Sequence, residues 1–172
     1  VSVGELIATG SSVDVTDVEL TDFVRGLTAE RRFFNIGDNE LGHNLFLVHG
    51  YSIQGVLAGI AGITRNCGVY ATFYMVHRDW QGCGIGTELA RVNHERARFL
   101  GLDLLVTVVD AANTPAVCIP KRLGYHTALE HNGRLYMFYP FNRRGKLMGS
   151  ALLPLALKLY LSLPRKLFKR RE

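Results

Sequence analysis

Seven residues, Gln81-Gly82-Cys83-Gly84-Ile85-Gly86-Thr87, follow an apolar run that ends at Val76 and open an amphipathic segment from Ile85 to Leu100. Glycines at alternate positions let the backbone turn with successive N–H groups on one concave side, and they remove side chains that would hold a bulky anion away. A helix starting there adds roughly half a positive charge on the same side. Such a loop suits a phosphate or pyrophosphate. The alternative is a tight strand-to-helix turn with no ligand.

Two common phosphate loops do not fit. A nucleotide-triphosphatase loop needs a lysine and then Ser/Thr after its last glycine, whereas Gly86 is followed by Thr87 and Glu88. A dinucleotide fingerprint needs a glycine three positions after Gly84, where Thr87 stands, and an acidic residue at the end of a second strand.

A wider frame gives the loop a family. Val76-His77-Arg78-Asp79-Trp80-Gln81-Gly82-Cys83-Gly84-Ile85-Gly86 resembles motif A of the GCN5-related N-acetyltransferase (GNAT) family. Asn113-Thr114-Pro115-Ala116 with Lys121-Arg122-Leu123-Gly124-Tyr125 resembles the family's second block, in the right order and at the right separation. The resemblance implies an α/β fold with a mixed sheet splayed between its fourth and fifth strands, and acetyl-CoA as acyl donor with no metal. It also implies an N-acetyltransferase in which a primary amine of a small molecule or protein attacks the thioester directly, in a ternary complex.

Carried over position by position, the resemblance gives backbone groups of Met75 and Val76 to the pantetheine arm. It gives the amides of Gln81, Gly82, Cys83, Gly84, Ile85, Gly86 and Thr87, with the Thr87 hydroxyl, to the pyrophosphate. Asn113 would contact the cofactor arm and Arg122 a cofactor phosphate. An amine near pKa 10 must lose a proton to attack, and an N–H near Val76 would stabilise the oxyanion. Many members protonate the leaving thiolate from a tyrosine seven residues after the asparagine, and here that position is Pro120. Tyr74, two residues before Val76 on the strand bordering the cleft, is the remaining catalytic candidate, against a reading as a half-buried sheet tyrosine. Tyr125 is expected in the core. Asp110 is either a base or a cap, Cys83 is a small filler, and the six histidines show no ligand spacing. Pro120 also favours a rival, a CoA-binding module without catalysis. The apolar tail and the small residues Ala58, Gly59 and Gly62 leave a second rival open, transfer from a longer acyl-CoA.

The 172 residues fit one catalytic domain, taken as residues 1–140, with an extension over residues 141–172. Three cysteines without metal spacing and no leader pattern lead to a cytoplasmic expectation. The net charge of +5 is unevenly spread. Residues 1–40 hold eight Asp/Glu against three Arg, and residues 133–172 hold ten Lys/Arg against one Glu. The acidic segment, Asp38 and Glu40 included, raises a cationic acceptor as a hypothesis, with plain surface acids slightly favoured. No nucleic-acid-binding pattern accompanies the basic tail.

The elements that must position this chemistry follow from periodicity. Strands are expected at Gly4–Thr9, Asn44–His49, Gly55–Ile63, Val69–Val76 and Leu102–Val109, with a turn near Gly50–Gln54. Helices are expected at Val18–Leu27, Ile85–Leu100 and from Asn113, and a helix or ordered loop at Arg31–Leu41. On the Ile85 helix, Ile85, Leu89, Val92 and Leu100 form the inward side and Glu88, Arg91, Glu95 and Arg98 a solvated face. Tyr125–Leu129 and Arg134–Tyr139 form a hairpin about Asn132-Gly133.

Residues 147–163 are apolar, broken by Ser150, Pro154, Lys158 and Ser162, and basic residues flank them. Leucines alternating from Leu155 to Leu163 would suit a strand. A polar stripe of Lys158, Ser162, Lys166 and Lys169 suits an interfacial helix and decides for helix. Peripheral membrane contact through residues 147–172, packing on the core and homodimer contact are the readings of this tail, and a spanning helix is not expected.

Overall fold

The computed structural model describes residues 10–13, 45–66 and 68–162. The expected strand Gly4–Thr9, the segments Val18–Leu27 and Arg31–Leu41, Asp38, Glu40, His43, Cys67, Lys166 and Lys169 lie outside these. The chain divides into two compact units, residues 1–101 and 102–172.

In the first unit, β1 (Gly10–Val13), β2 (Leu45–Ile53), β3 (Val56–Asn66) and β4 (Val69–Val76) are each antiparallel to the next. Strand β1 occupies residues for which no strand was expected. Strand β2 runs on through the residues expected to turn, because His49, Tyr51 and Ile53 alternate inward and are almost wholly buried. The turn falls instead at Gln54-Gly55, both with positive φ, as a two-residue hairpin requires.

Helix α1 (Ile85–Phe99) packs on β3 and β4. Its inward residues are Ile85, Leu89, Ala90, Asn93 and Ala97. Val92 is only half-buried and Leu100 is exposed, so the expected inward side is rotated. Close approach to the sheet is the reason. A Cβ on Gly59 would stand 2.9 Å from Leu89 Cδ1 and 3.3 Å from Ile85 Cγ2. Small residues on the helix and under it therefore set the contact. On the opposite face Glu88, Arg91 and Glu95 form the expected solvent-side ion pairs.

In the second unit β7 (Arg134–Pro140) lies between β5 (Leu104–Asp110) and β6 (His126–His131), antiparallel to both. Asn132 and Gly133 take positive φ at the β6–β7 turn, as their types suggest. Helix α2 (Thr114–Arg122) starts with Asn113 Oδ1 accepting from the Ala116 amide at 3.2 Å. It stops where Gly124 takes φ +88°.

The extension is helical, which rules out the strand reading. Helix α3 (Arg143–Leu147), a π turn (Met148–Leu152) and α4 (Leu153–Ser162) follow without a break. Pro154 has no N–H to give and its ring would crowd the carbonyl four residues back, and the wider turn sits directly ahead of it. Asn142 caps α3 through the Gly145 amide at 2.8 Å. Asp103 ties the start down: its carbonyl accepts from Phe141 N–H, its carboxylate accepts from Asn142 Nδ2 and faces Arg144. Leu104, Val106 and Phe138 form the core beneath, with Met148 and Leu153 against them.

Candidate functional site

The site begins where β4 ends. The His77 amide donates to Ala58 O on β3 at 2.8 Å. Because amide directions alternate along a strand, the N–H and C=O of Val76 point away from β3, and those of Met75 point toward it. The Val76 carbonyl receives Gln81 Nε2 at 3.2 Å, which folds the loop back over the strand end.

Between them a single 3-10 turn, Arg78–Trp80, is capped by His77, whose Nδ1 accepts from the Asp79 amide. Trp80 and Cys83 pack against the core cluster of Tyr51, Ile53, Ala58, Ala61, Ile85 and Leu89. Trp80 and Cys83 thus anchor the chain on either side of Gly82. The Cys83 thiol lies 3.8 Å from Gln81 O and fills space.

Gly82 and Gly84 take φ of +80° and +84°, a region that other residues enter only with strain. A Cβ on Gly82 would meet nothing within 4 Å, so backbone conformation rather than crowding is what favours glycine there. Gly84 caps α1, and its carbonyl accepts the first amides of the helix, from Thr87 at 3.0 Å and Glu88 at 3.1 Å. The amides of Ile85 and Gly86 come before any carbonyl their helix can offer, as at every helix start. The Gln81 amide is already given to Arg78 O at 3.2 Å.

The supports of this loop include a residue that periodicity did not single out. Asn93, wholly buried on α1, donates through Nδ2 to Thr72 Oγ1 at 2.7 Å, Gly62 O at 3.0 Å and Phe73 O at 3.2 Å. The signal was present: Asn93 continues the Ile85–Leu89 stripe at helical spacing.

Tyr74 is half-buried on β4 and packs against the same core cluster. Burial pushes its hydroxyl well above the ordinary tyrosine range, so it stays a neutral donor. In the second unit Asn113 spends its side-chain oxygen on the helix cap. Arg122 is exposed at the end of α2. Pro120 is buried inside that helix, and Tyr125 is buried against Tyr139, in the core as expected. Asp110 accepts from the Ala112 amide at 2.8 Å, which is a turn-capping role. Among the described residues there is no metal-like group of His, Cys, Asp and Glu.

A strand, a positive-φ glycine turn and a helix start, with a capped second helix downstream, set the frame for comparison with known families. The family model described as "Acetyltransferase (GNAT) family" matches residues 13–125. The chain belongs to the GNAT acetyltransferase family. Its α/β fold is therefore that of acyl-CoA-dependent acetyltransferases.

Solved GNAT structures agree in fold. A GNAT-family acetyltransferase from Streptococcus pneumoniae superposes with a TM-score of 0.64 at 17% identity, over 77% of this chain and 99% of that one. The ribosomal-protein-S18-alanine N-acetyltransferase of Escherichia coli gives 0.61 at 19% identity, over 77% and 94%. A putative acetyltransferase from Salmonella typhimurium, solved with acetyl-CoA, gives 0.51 at 20% identity. There the match covers 56% of this chain and only 65% of that protein. No curated protein matches.

Proposed function

We propose that this GNAT protein transfers the acetyl group of acetyl-CoA to a primary amine of a small molecule or a protein. The observation that carries the reading is the positive-φ turn at Gly82 and Gly84, which opens α1 directly beyond the outward-facing edge of Val76. An anion seated there meets the amides of Gly82 to Gly86, while those of Gln81 and Thr87 are spent within the turn. The Val76 carbonyl, rather than a group of Met75, is then the proposed acceptor for the pantetheine arm. Asn113 and Arg122 are proposed as further cofactor contacts from the second unit.

Acetyl-CoA supplies an activated thioester. The amine nitrogen bonds to its carbonyl carbon, the C–S bond breaks, and the sulfur leaves with the electron pair. The Val76 N–H is the proposed donor to negative charge on the carbonyl oxygen. Tyr74, held neutral by burial, is the proposed proton donor to the leaving sulfur, in place of the hydroxyl that Pro120 lacks, and the proton shed by the acylated nitrogen restores its hydroxyl. The longer acyl-CoA rival loses its support in Gly59 and Gly62. The space beside Gly59 is taken by Leu89 and Ile85, and that beside Gly62 by Leu47 and Phe73.

Release of free CoA thiol from acetyl-CoA across a panel of primary amines, with mass detection of the N-acetyl product, tests the reading. Amine-dependent release at many times the hydrolysis rate is expected. Saturable acetyl-CoA binding with no turnover on any amine would favour the module without catalysis, the reading that Pro120 supports.

A further inference from the structure

We infer that the outer face of helix α4 seats the protein on an anionic lipid surface. Two apolar stripes run along this helix. Leu153, Leu157 and Leu161 are partly buried and turn inward, where the helix lies over β6. Leu155 and Leu159, with Leu152 one turn before them, form a second stripe on the opposite side. Leu155, Leu159 and Leu152 are 68%, 65% and 58% exposed. Core packing thus accounts for one side of the helix and leaves the other uncovered.

Charge identifies what covers it. Arg143, Arg144 and Lys146 are exposed earlier in the same helical run, Arg144 beside Asp103, and the exposed Lys158 lies next to Leu155 and Leu159 on α4. Between residues 133 and 171 the chain has ten Lys/Arg and no Asp or Glu. Exposed leucines on a helix in a strongly basic segment suit a helix lying in the headgroup plane, where long cationic stems reach anionic phosphates. A second copy of the same face would bring like charges together without an acidic partner, which disfavours self-association. No helix among the described residues is long and apolar enough to cross a membrane, so the contact is one of lying on the surface.

The test is co-sedimentation of the full chain with phosphatidylcholine vesicles and with vesicles containing phosphatidylglycerol. Binding is expected only with phosphatidylglycerol, weakened at least tenfold in the double variant Leu155→Gln, Leu159→Gln. Acetyl-CoA affinity should stay unchanged, because both side chains are exposed and distant in sequence from the glycine loop. Failure to bind either vesicle would overturn the proposal. So would binding that is lost in high salt yet indifferent to the two leucines, or a dimer in light scattering that the double variant dissolves.

Discussion

Asn93 Nδ2 donates to Thr72 Oγ1 at 2.7 Å, and this buried bond fastens the middle of α1 to the strand that ends at the glycine loop. The same nitrogen also reaches two strand carbonyls, so one side chain sets both the depth and the register of the helix on the sheet. Asn93→Leu leaves Thr72 and those carbonyls without their donor and should cost about 2–3 kcal/mol of stability. Urea unfolding measures the loss, and acetyl-CoA affinity should fall with it as the helix start shifts. Asn93→Asp should be at least as damaging, because it faces acceptors with an acceptor.

The C-terminal helical run depends on two glycines pressed on the second unit. A Cβ at Gly149 would stand 2.1 Å from the Phe138 ring, and one at Gly145 would stand 1.8 Å from Asp103 O. Gly149→Ala should therefore lift the run, costing about 1–3 kcal/mol. Limited trypsin digestion should show faster cleavage after Arg143, Arg144 and Lys146, with the rest of the chain cut at its former rate.

Tyr74→Phe separates a proton donor from a packing residue. Loss of the hydroxyl should lower kcat about a hundredfold while acetyl-CoA affinity stays within about twofold. Since burial raises its pKa, Tyr74 should add no falling limb to the pH–rate profile below pH 10. An unchanged kcat would make it a core tyrosine.

His94 gives stability a pH dependence of known sign. Burial, helped by Arg98, pushes its pKa down to about 4 from an ordinary 6.5. The unfolded chain binds this proton more readily, so stability is full above pH 6.5 and falls as pH drops toward 4. Screening at a partly exposed site holds the effect to on the order of 1 kcal/mol. Denaturation midpoints at pH 7 and pH 5 should differ in the native chain and converge in His94→Gln. Glu88, lowered first by its hydrogen bond from Arg91, loses its own contribution only further into acid.

What could be read from the chain follows how local each determinant is. The β4–loop–α1 passage, the Asn113 cap and the Asn132-Gly133 hairpin depend on residues a few positions apart, and each lies where its residue types put it. The tail's helix was legible from its lysine stripe, but its π turn and its seating against Phe138 were not. The misplaced end of β2 had a physical cause: Gly50 reads as a turn residue, yet it sits in a buried strand whose alternation continues to Ile53. The inward face of α1 was misjudged because Gly59, far away in sequence, admits Leu89 and Ile85 so closely that alanines and an asparagine are drawn inward. The spacing of Ile85, Leu89, Asn93 and Ala97 carries the stripe, but its small and polar members hide it from an apolar pattern.

The proposed seat of acetyl-CoA is the glycine turn. Trp80 is the chain's one tryptophan and packs immediately ahead of the loop, so its fluorescence and a parallel calorimetric titration report directly on that turn. Saturable binding of one acetyl-CoA per chain is expected, weakened at least about tenfold by Gly84→Val, whose side chain cannot adopt φ +84° without strain. No saturable signal up to about millimolar acetyl-CoA, or equal affinity in a folded Gly84→Val variant, would contradict it.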